Sequence, residues 1–198
     1  YKIFDLNNWE RKEHYLYYTN NLNIEFSITV QLRVDQLLRY CHTSHRRFYA
    51  MFICLAAQVV NETDCLKMFR NETGTLCVWN HVHPVYTLFH NDDKTFSDCW
   101  SVYHSDPDQM YQTLVSDMET YKDIKGIKAG NGQPANFFCV SCVPWTNFTG
   151  YTSRVTNGQP QLFPVITAGK YLSRDDGVFM PVAVTIAHAV CDGYHISL

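Results

Sequence analysis

Apolar and polar residues alternate most cleanly from Ile24 to Val34. Ile24, Phe26, Ile28, Val30, Leu32 and Val34 take the even positions, and Glu25, Ser27, Thr29, Gln31 and Arg33 the odd ones. Period two predicts a long strand with one buried face, because successive side chains leave a strand on opposite sides. From Arg46 to Val60 the chain is rich in apolar residues and free of Pro and Gly, and Ser44 stands where it can cap a helix. That predicts a buried helix. Leu66–Arg70 and Thr75–Trp79 flank a turn at Gly74 and read as a hairpin. Val82–Phe89 and Thr95–Tyr103 are further β-like runs. Asp106 before Pro107 is a cap followed by Pro at the first helical position, and Tyr111, Leu114, Val115 and Met118 recur at helical spacing. Lys122–Pro134, with three glycines, reads as loop. Asn136–Val143, Leu162–Ala168 and Val178–Ala187 are three strand candidates with apolar residues on both faces, which predicts a largely buried sheet. With no repeat, low-complexity tract or linker, one α+β domain over 1–198 is the simplest account.

Composition narrows the function. Of 198 residues, 46% are hydrophobic and 18% charged, which suffices for a core and argues against disorder. A net charge of −3 argues against a nucleic-acid binder that works by neutralising phosphates. Aromatic residues make up 15%, which suits a β-rich core or an aromatic-lined pocket. No apolar run reaches the roughly 18 residues of a membrane span. The start, Tyr1–Asp5, has neither a signal-like apolar run nor an initiator Met, so the expectation is that earlier residues were trimmed or left out. Eight cysteines sit mostly in apolar runs, among them Cys54, Cys77, Cys139 and Cys191. They read as buried thiols in a reducing cytoplasm, which makes the Asn-x-Thr sequons at Asn61, Asn71 and Asn147 chance matches.

The sharpest chemical feature is Ile186-Ala187-His188-Ala189-Val190-Cys191-Asp192-Gly193-Tyr194-His195. A His leaves a β-run and an Asp-Gly turn follows. An imidazole, with a free pKa of about 6.5, is the natural general base at neutral pH. Taken alone, a structural His before an ordinary turn fits as well. His188, Asp192 and His195 would also share one face if the segment were helical, and could then hold a metal, but the β-run before His188 and the presence of Gly193 argue against a continuous helix. His81 and His83 alternate on a strand without a third ligand. Cys139 and Cys142 have CxxC spacing without a helix start, so they read as strand thiols. No metal is expected.

The chain as a whole resembles the type A chloramphenicol acetyltransferases. The likeness runs through Asn8-Trp9-Glu10-Arg11-Lys12-Glu13-His14, Val82-His83-Pro84, Thr87-Leu88-Phe89-His90, Thr95-Phe96-Ser97, Pro144-Trp145-x-x-Phe148, Pro164 to Tyr171, and His188 to Gly193. A lone HxxxDG would fit a wider acyltransferase superfamily. The resemblance implies an α+β two-layer sandwich, a large mixed sheet covered by helices, of the acyl-CoA-dependent acyltransferase type. It implies acetyl transfer from acetyl-CoA, a co-substrate and not a bound cofactor, to the primary hydroxyl of chloramphenicol, and hence antibiotic resistance. His188 would be the general base in a direct attack without an acyl-enzyme. Asp192 would pair with Arg11 and not with His188, and that pair would hold the loop. The His ring would be oriented by a bond to its own main-chain carbonyl. Tyr18, Leu22, Phe26 and Phe148 would line the chloramphenicol pocket, Thr167 would reach the reacting centre through water, and Tyr171 would lie on the coenzyme A side. The assembly would be a cytoplasmic homotrimer with active sites between subunits.

Three departures from the family pattern stand out. Ala187 replaces the first of two consecutive His. Gly150 stands where many members carry a Ser whose hydroxyl stabilises the oxyanion, and losing one such donor can cost roughly 3 kcal/mol. Thr149, Thr146 or a water held by Thr167 are the candidate substitutes. The chain stops at Leu198, where the family continues with a C-terminal helix. The rival readings are an HxxxDG acyltransferase with another acceptor, and a homologue that binds chloramphenicol without turning it over.

Overall fold

The computed structural model describes residues 1–153, 158 and 161–198. The longest strand among these residues, β10 (Gly177–Ala187), is an eleven-residue run of Val, Ile, Ala, Met, Phe and Thr with one Gly and one Pro. Residues of this kind favour a strand buried on both faces. On one side β10 pairs antiparallel with β2 (Glu25–Arg33), in a register running from Phe179 opposite Arg33 to Ala187 opposite Glu25. On the other it pairs antiparallel with β8 (Val165–Gly169) and, near its start, with β9 (Leu172–Arg174). Next come β7 (Phe137–Val143), parallel to β8, then β5 (His83–Phe89), parallel to β7, and β6 (Phe96–Trp100), antiparallel to β5. The result is a mixed sheet of seven strands, with β2 and β6 at its edges. A smaller antiparallel sheet joins β1 (Lys2–Ile3), β4 (Leu76–Val78) and β3 (Met68–Arg70), the last two turning at Gly74, whose φ of +79° suits glycine.

Helices complete the α+β fold: α1 (Lys12–Asn20), α2 (Asp35–Thr43), α3 (Phe48–Glu62), α4 (Pro107–Tyr121) and the short α5 (Gly193–Ser197). α2 packs on β10, α3 on β5 and α4 on β6, while α3 touches both α2 and α4. The apolar face of α3 places Ala50, Ile53, Ala57 and Val60 out of contact with solvent. Asp106 caps α4 as expected, its carboxylate accepting from Gln109 N at 2.7 Å ahead of Pro107.

Two expectations need correction. Ser44 does not cap α3, because its hydroxyl donates back to the Tyr40 carbonyl at 2.6 Å and closes α2 instead. α3 begins at Phe48, and the Tyr111 hydroxyl accepts from Arg47 N at 2.9 Å. The apolar face of β2 is only partly buried, with Val30 44% and Leu32 43% exposed. Their cross-strand neighbours on β10, Val182 and Met180, are buried, so the covered strip stops one strand short of the sheet edge.

Candidate active site

His188 is the first residue beyond β10, and its N–H still completes the ladder to Ile24 O at 2.9 Å. The chain then turns, with Val190 N donating to Ala187 O at 3.2 Å. The imidazole stacks on Tyr18 of α1, with ring centres 4.1 Å apart and planes 9° from parallel, and leans on Phe26 of β2 at 5.0 Å. Ala187, beside it, is buried. The ring is thus held by flat aromatic contacts. Its Nδ1 is buried and makes no hydrogen bond among the described residues. The orienting bond from the ring to its own carbonyl is therefore not formed, and that carbonyl accepts from Arg11 instead.

Arg11 anchors the loop with three donors. Nη2 reaches His188 O at 3.1 Å, Nη1 reaches Ala189 O at 3.1 Å, and Nε reaches Asp192 Oδ2 at 3.2 Å. The side chain is almost wholly buried, with its guanidinium 5.3 Å from the Trp9 ring centre. A rigid guanidinium fork suits this task because it serves several acceptors in fixed directions. Asp192 does not touch His188. Its second oxygen accepts from Tyr194 N at 3.1 Å, capping α5, and meets His195 Nδ1 at 2.7 Å. Burial pushes the Asp192 carboxyl up, but the His195 ring and the Arg11 guanidinium outweigh it and hold the group below the ordinary carboxylate range. His195, weighed above only as a metal ligand, is the residue that sequence reasoning missed here. The legible signal was its spacing of three from a capping Asp at a helix start.

Phe148, Thr149, Gly150 and Thr167 gather elsewhere. Ser27 Oγ donates to Tyr151 O at 2.6 Å, Tyr151 N donates to Thr29 Oγ1 at 3.3 Å, and Gln31 Nε2 donates to Phe148 O at 3.4 Å. A cavity of about 540 Å³ opens here, bordered by Phe26, Ser27, Thr29, Thr149 and Gly150. A Cβ on Gly150 would meet nothing within 4 Å. Buried Thr167 lies opposite Ala183, which lies opposite Thr29. Phe148 packs against Gly169, where a Cβ would come within 2.7 Å of Phe148 Cε1 and 2.6 Å of Pro181 Cγ. Gly169 is a second residue that sequence reasoning missed.

Successive residues of a strand point to opposite faces. His188 packs on Phe26, an even position of β2, whereas the 148–151 segment bonds to Ser27, Thr29 and Gln31, all odd. The expected site residues thus fall into two groups, on opposite faces of one strand. Leu22 lies exposed in the segment between α1 and β2, on the way from Tyr18 to Phe26. Tyr171 follows Lys170, whose N–H donates to Thr146 O at 2.9 Å, and is half exposed, with its ring 5.7 Å from Phe48.

The remaining chemical candidates resolve simply. All eight cysteines are free thiols. Cys139 and Cys142 are three apart on β7 and so face opposite ways, and burial pushes both up to about 11. His83 is buried, its Nδ1 accepting from Tyr103 N at 2.9 Å, and burial pushes its pKa down. His188, Asp192 and His195 do not share one helix, since α5 starts only at Gly193. Among the described residues no three His, Cys, Asp or Glu side chains converge to hold a metal ion. Among the described residues no helix is long and apolar enough to cross a membrane.

A family model described as chloramphenicol acetyltransferase matches residues 1–198. The chain is 33% identical over 197 residues to a chloramphenicol acetyltransferase of Clostridium butyricum, covering 100% of this chain and 90% of the relative. It is 36% identical over 197 residues to chloramphenicol acetyltransferase 3 of Escherichia coli, covering 100% and 92%. Among solved structures it is similar to a chloramphenicol acetyltransferase at TM-score 0.86 and 22% identity, covering 99% of this chain and 94% of the other. A dihydrolipoamide acetyltransferase of Azotobacter vinelandii shares the fold at TM-score 0.64 and 12% identity, covering 93% and 80%.

Proposed function

The chain belongs to the chloramphenicol acetyltransferase family of acyltransferases, and from that membership we propose that it transfers an acetyl group from acetyl-CoA to the primary hydroxyl of chloramphenicol and so confers resistance to that antibiotic. The observation that carries the reading is the mounting of His188, with its ring pressed between Tyr18 and Phe26 and its carbonyl held by buried Arg11. A side chain meant only for packing would not need its loop tied at three points.

In this reading His188 Nε2, the ring nitrogen opposite buried Nδ1, takes the proton of the substrate hydroxyl. The oxygen attacks the thioester carbonyl directly. The tetrahedral intermediate collapses, the coenzyme A thiolate leaves, and the proton on His188 passes to it. A base positioned this way contributes about 10²- to 10⁴-fold. Arg11 and Asp192 position the loop and do no proton chemistry. Tyr18, Leu22, Phe26 and Phe148 contribute to the chloramphenicol pocket, Thr167 holds a water near the reacting centre, and Tyr171 serves the coenzyme A side.

Contact of His188 with an even position of β2, and of residues 148–151 with odd ones, supports a site assembled from two copies. A homotrimer with its sites between subunits satisfies this, and the exposed Val30 and Leu32 offer an apolar surface at the sheet edge. Eight free thiols suit a reducing cytoplasm.

The test is an acetyl-transfer assay with chloramphenicol and acetyl-CoA on the wild type and on His188→Ala. Expected are turnover by the wild type and a loss of at least about 10²-fold in the variant, with chloramphenicol binding kept within a few fold. Wild type that binds chloramphenicol without acetylating it would favour the non-catalytic reading. A variant that keeps most of the turnover would overturn the mechanism.

A further inference from the structure

His195 takes no part in the mechanism above, yet it lies on the same chain of hydrogen bonds as His188. The chain starts at the His188 carbonyl, which accepts from Arg11 Nη2 at 3.1 Å. It continues from Arg11 Nε to Asp192 Oδ2 at 3.2 Å, crosses the carboxylate, and ends where Asp192 Oδ1 meets His195 Nδ1 at 2.7 Å. Tyr194 N also donates to Oδ1, at 3.1 Å. One oxygen of Asp192 is therefore held by the start of α5 and the other by buried Arg11.

We propose that His195 is a positioning residue for His188: an Nδ1–H on His195 fixes the Asp192 carboxylate against Arg11, and through Arg11 fixes the main-chain carbonyl of His188. The geometry assigns the hydrogen. An ionised carboxylate only accepts hydrogen bonds, and two bare acceptors 2.7 Å apart would repel, so Nδ1 carries the hydrogen. The distance is that of a donor to a charged oxygen. Asp192, held below the ordinary carboxylate range, is ionised near neutrality, as this assignment needs. Neutral imidazole in water prefers the other tautomer, with the hydrogen on Nε2, and the partner of each ring nitrogen decides which form a protein keeps.

The clamp matters because Asp192 is the movable member of the anchor. The other two acceptors of Arg11, His188 O and Ala189 O, belong to the main chain of the loop itself. The Asp192 oxygens swing together about the Cα–Cβ bond, and the side chain is about one-third exposed, so water competes for both. Without His195 Nδ1–H, Oδ1 is left with the longer bond from Tyr194 N. Arg11 then grips a looser partner. Its donors move as one rigid plane, so slack at Nε reaches Nη2 and the His188 carbonyl. Misplacing a base by about 1 Å can cost about 10²-fold in rate. The effect on acetyl transfer rests on the function proposed above, whereas the tautomer of His195 and the seating of the His188 ring do not.

The experiment labels the histidines of the full chain with heavy nitrogen and reads their rings by NMR at pH of about 9, where a free imidazole is neutral. His195 should show the Nδ1–H form. The His188 ring protons should be shifted upfield by the stacked Tyr18 ring in the wild type, and should move toward their free values in His195→Ala. His195→Asn, whose amide nitrogen takes the place of Nδ1, should restore the wild-type shifts. His195→Gln, whose amide lies one atom farther out, should not. Turnover should follow the same order, with kcat down about tenfold in the Ala and Gln variants, chloramphenicol KM within about twofold, and most of the loss recovered in Asn. Should His195→Ala fail to fold, the contrast between Asn and Gln carries the test. An Nε2–H tautomer in the wild type overturns the clamp. His188 shifts that stay at wild-type values in the folded Ala and Gln variants overturn the positioning, even where the melting temperature falls. Wild type without acetyl transfer refutes the proposed function instead, and the His188 shifts then decide the positioning by themselves.

Discussion

Replacing Arg11 by Ala removes the one side chain that binds three parts of the His188 loop. Each loss can be sized from its surroundings. The bonds to His188 O and Ala189 O run from an almost wholly buried guanidinium. Leaving an acceptor unpaired costs about 1–3 kcal/mol, and the low end applies because the vacated space admits water. The Asp192 contact counts for less. That carboxylate is about one-third exposed, and wet ion pairs contribute about 1 kcal/mol at most. The lost buried methylenes of the Arg11 side chain add about 1.5 kcal/mol. Together the substitution should cost about 4 kcal/mol, within the range for breaking a buried pair. In a chain of this size that lowers the melting temperature by roughly 8–16 °C. Arg11→Lys keeps the charge but offers one compact ammonium in place of three directed donors, so it should recover less than half of the loss. Thermal melts followed by circular dichroism check both values, with acetyl transfer measured well below the transition. Transfer should drop at least about tenfold in Arg11→Ala, because the base loses its mount. A melting temperature within about 3 °C of wild type, or full recovery in Arg11→Lys, would refute the three-point anchor.

Gly150→Ser should fold normally, because a Cβ there meets nothing within 4 Å and the backbone is outside the left-handed region. If the intermediate lacks a donor, kcat should rise with little change in the chloramphenicol KM, and steady-state kinetics showing no rise would mean that another group already fills the role. Gly169→Ala should be destabilised by about 1–3 kcal/mol, since its methyl would press on Pro181 Cγ and Phe148 Cε1. A urea titration indistinguishable from wild type would show that Pro181, Phe148 and the Thr146 carbonyl all give way freely. The depressed Asp192 carboxyl contributes stability that is fully present above the free value of about 4 and is lost as pH falls through its lower native value. The melting-temperature gap between wild type and Asp192→Asn should therefore be widest near neutrality and close in acid, and a gap unchanged at pH of about 3 would contradict this sign.

Much of the fold was legible because period and punctuation agreed. β2 announced itself by alternation, α4 by the Asp106-Pro107 start, and the β3–β4 hairpin by Gly74. The helices α1 and α2 were not legible. Each is nine residues long, and the N-cap positions Arg11 and Val34 offer no side-chain cap. In both, tertiary contacts decide: Tyr15 and Cys41 are the buried anchors. The exposure of Val30 and Leu32 was hidden because alternation marks an apolar face without saying what covers it. At the site, the Arg11–Asp192 contact followed from family resemblance, yet its two further bonds to main-chain carbonyls have no signature in side-chain identity. The separation of His188 from residues 148–150 was equally invisible, since it arises from parity along a different strand.

The long seam between β2 and β10 also governs how the molecule comes into being. Arg11 and Asp192 are 181 positions apart, and β2 finds its long partner in residues 179–187. A ribosome adding about 5–20 residues per second needs roughly 8–30 s to travel from one strand to the other. Throughout that interval β2 is a finished strand with one apolar face and no mate, and pairings of such long sequence separation are slow to close even when both halves exist. The base, the loop that carries it and β10 are therefore among the last parts to be made, although Arg11 is among the first, so a nascent chain carries a sticky edge long before it carries an active site. Synthesis on crowded polysomes places many such edges side by side, and yield in the cell will depend on how well they are shielded until the final strand emerges.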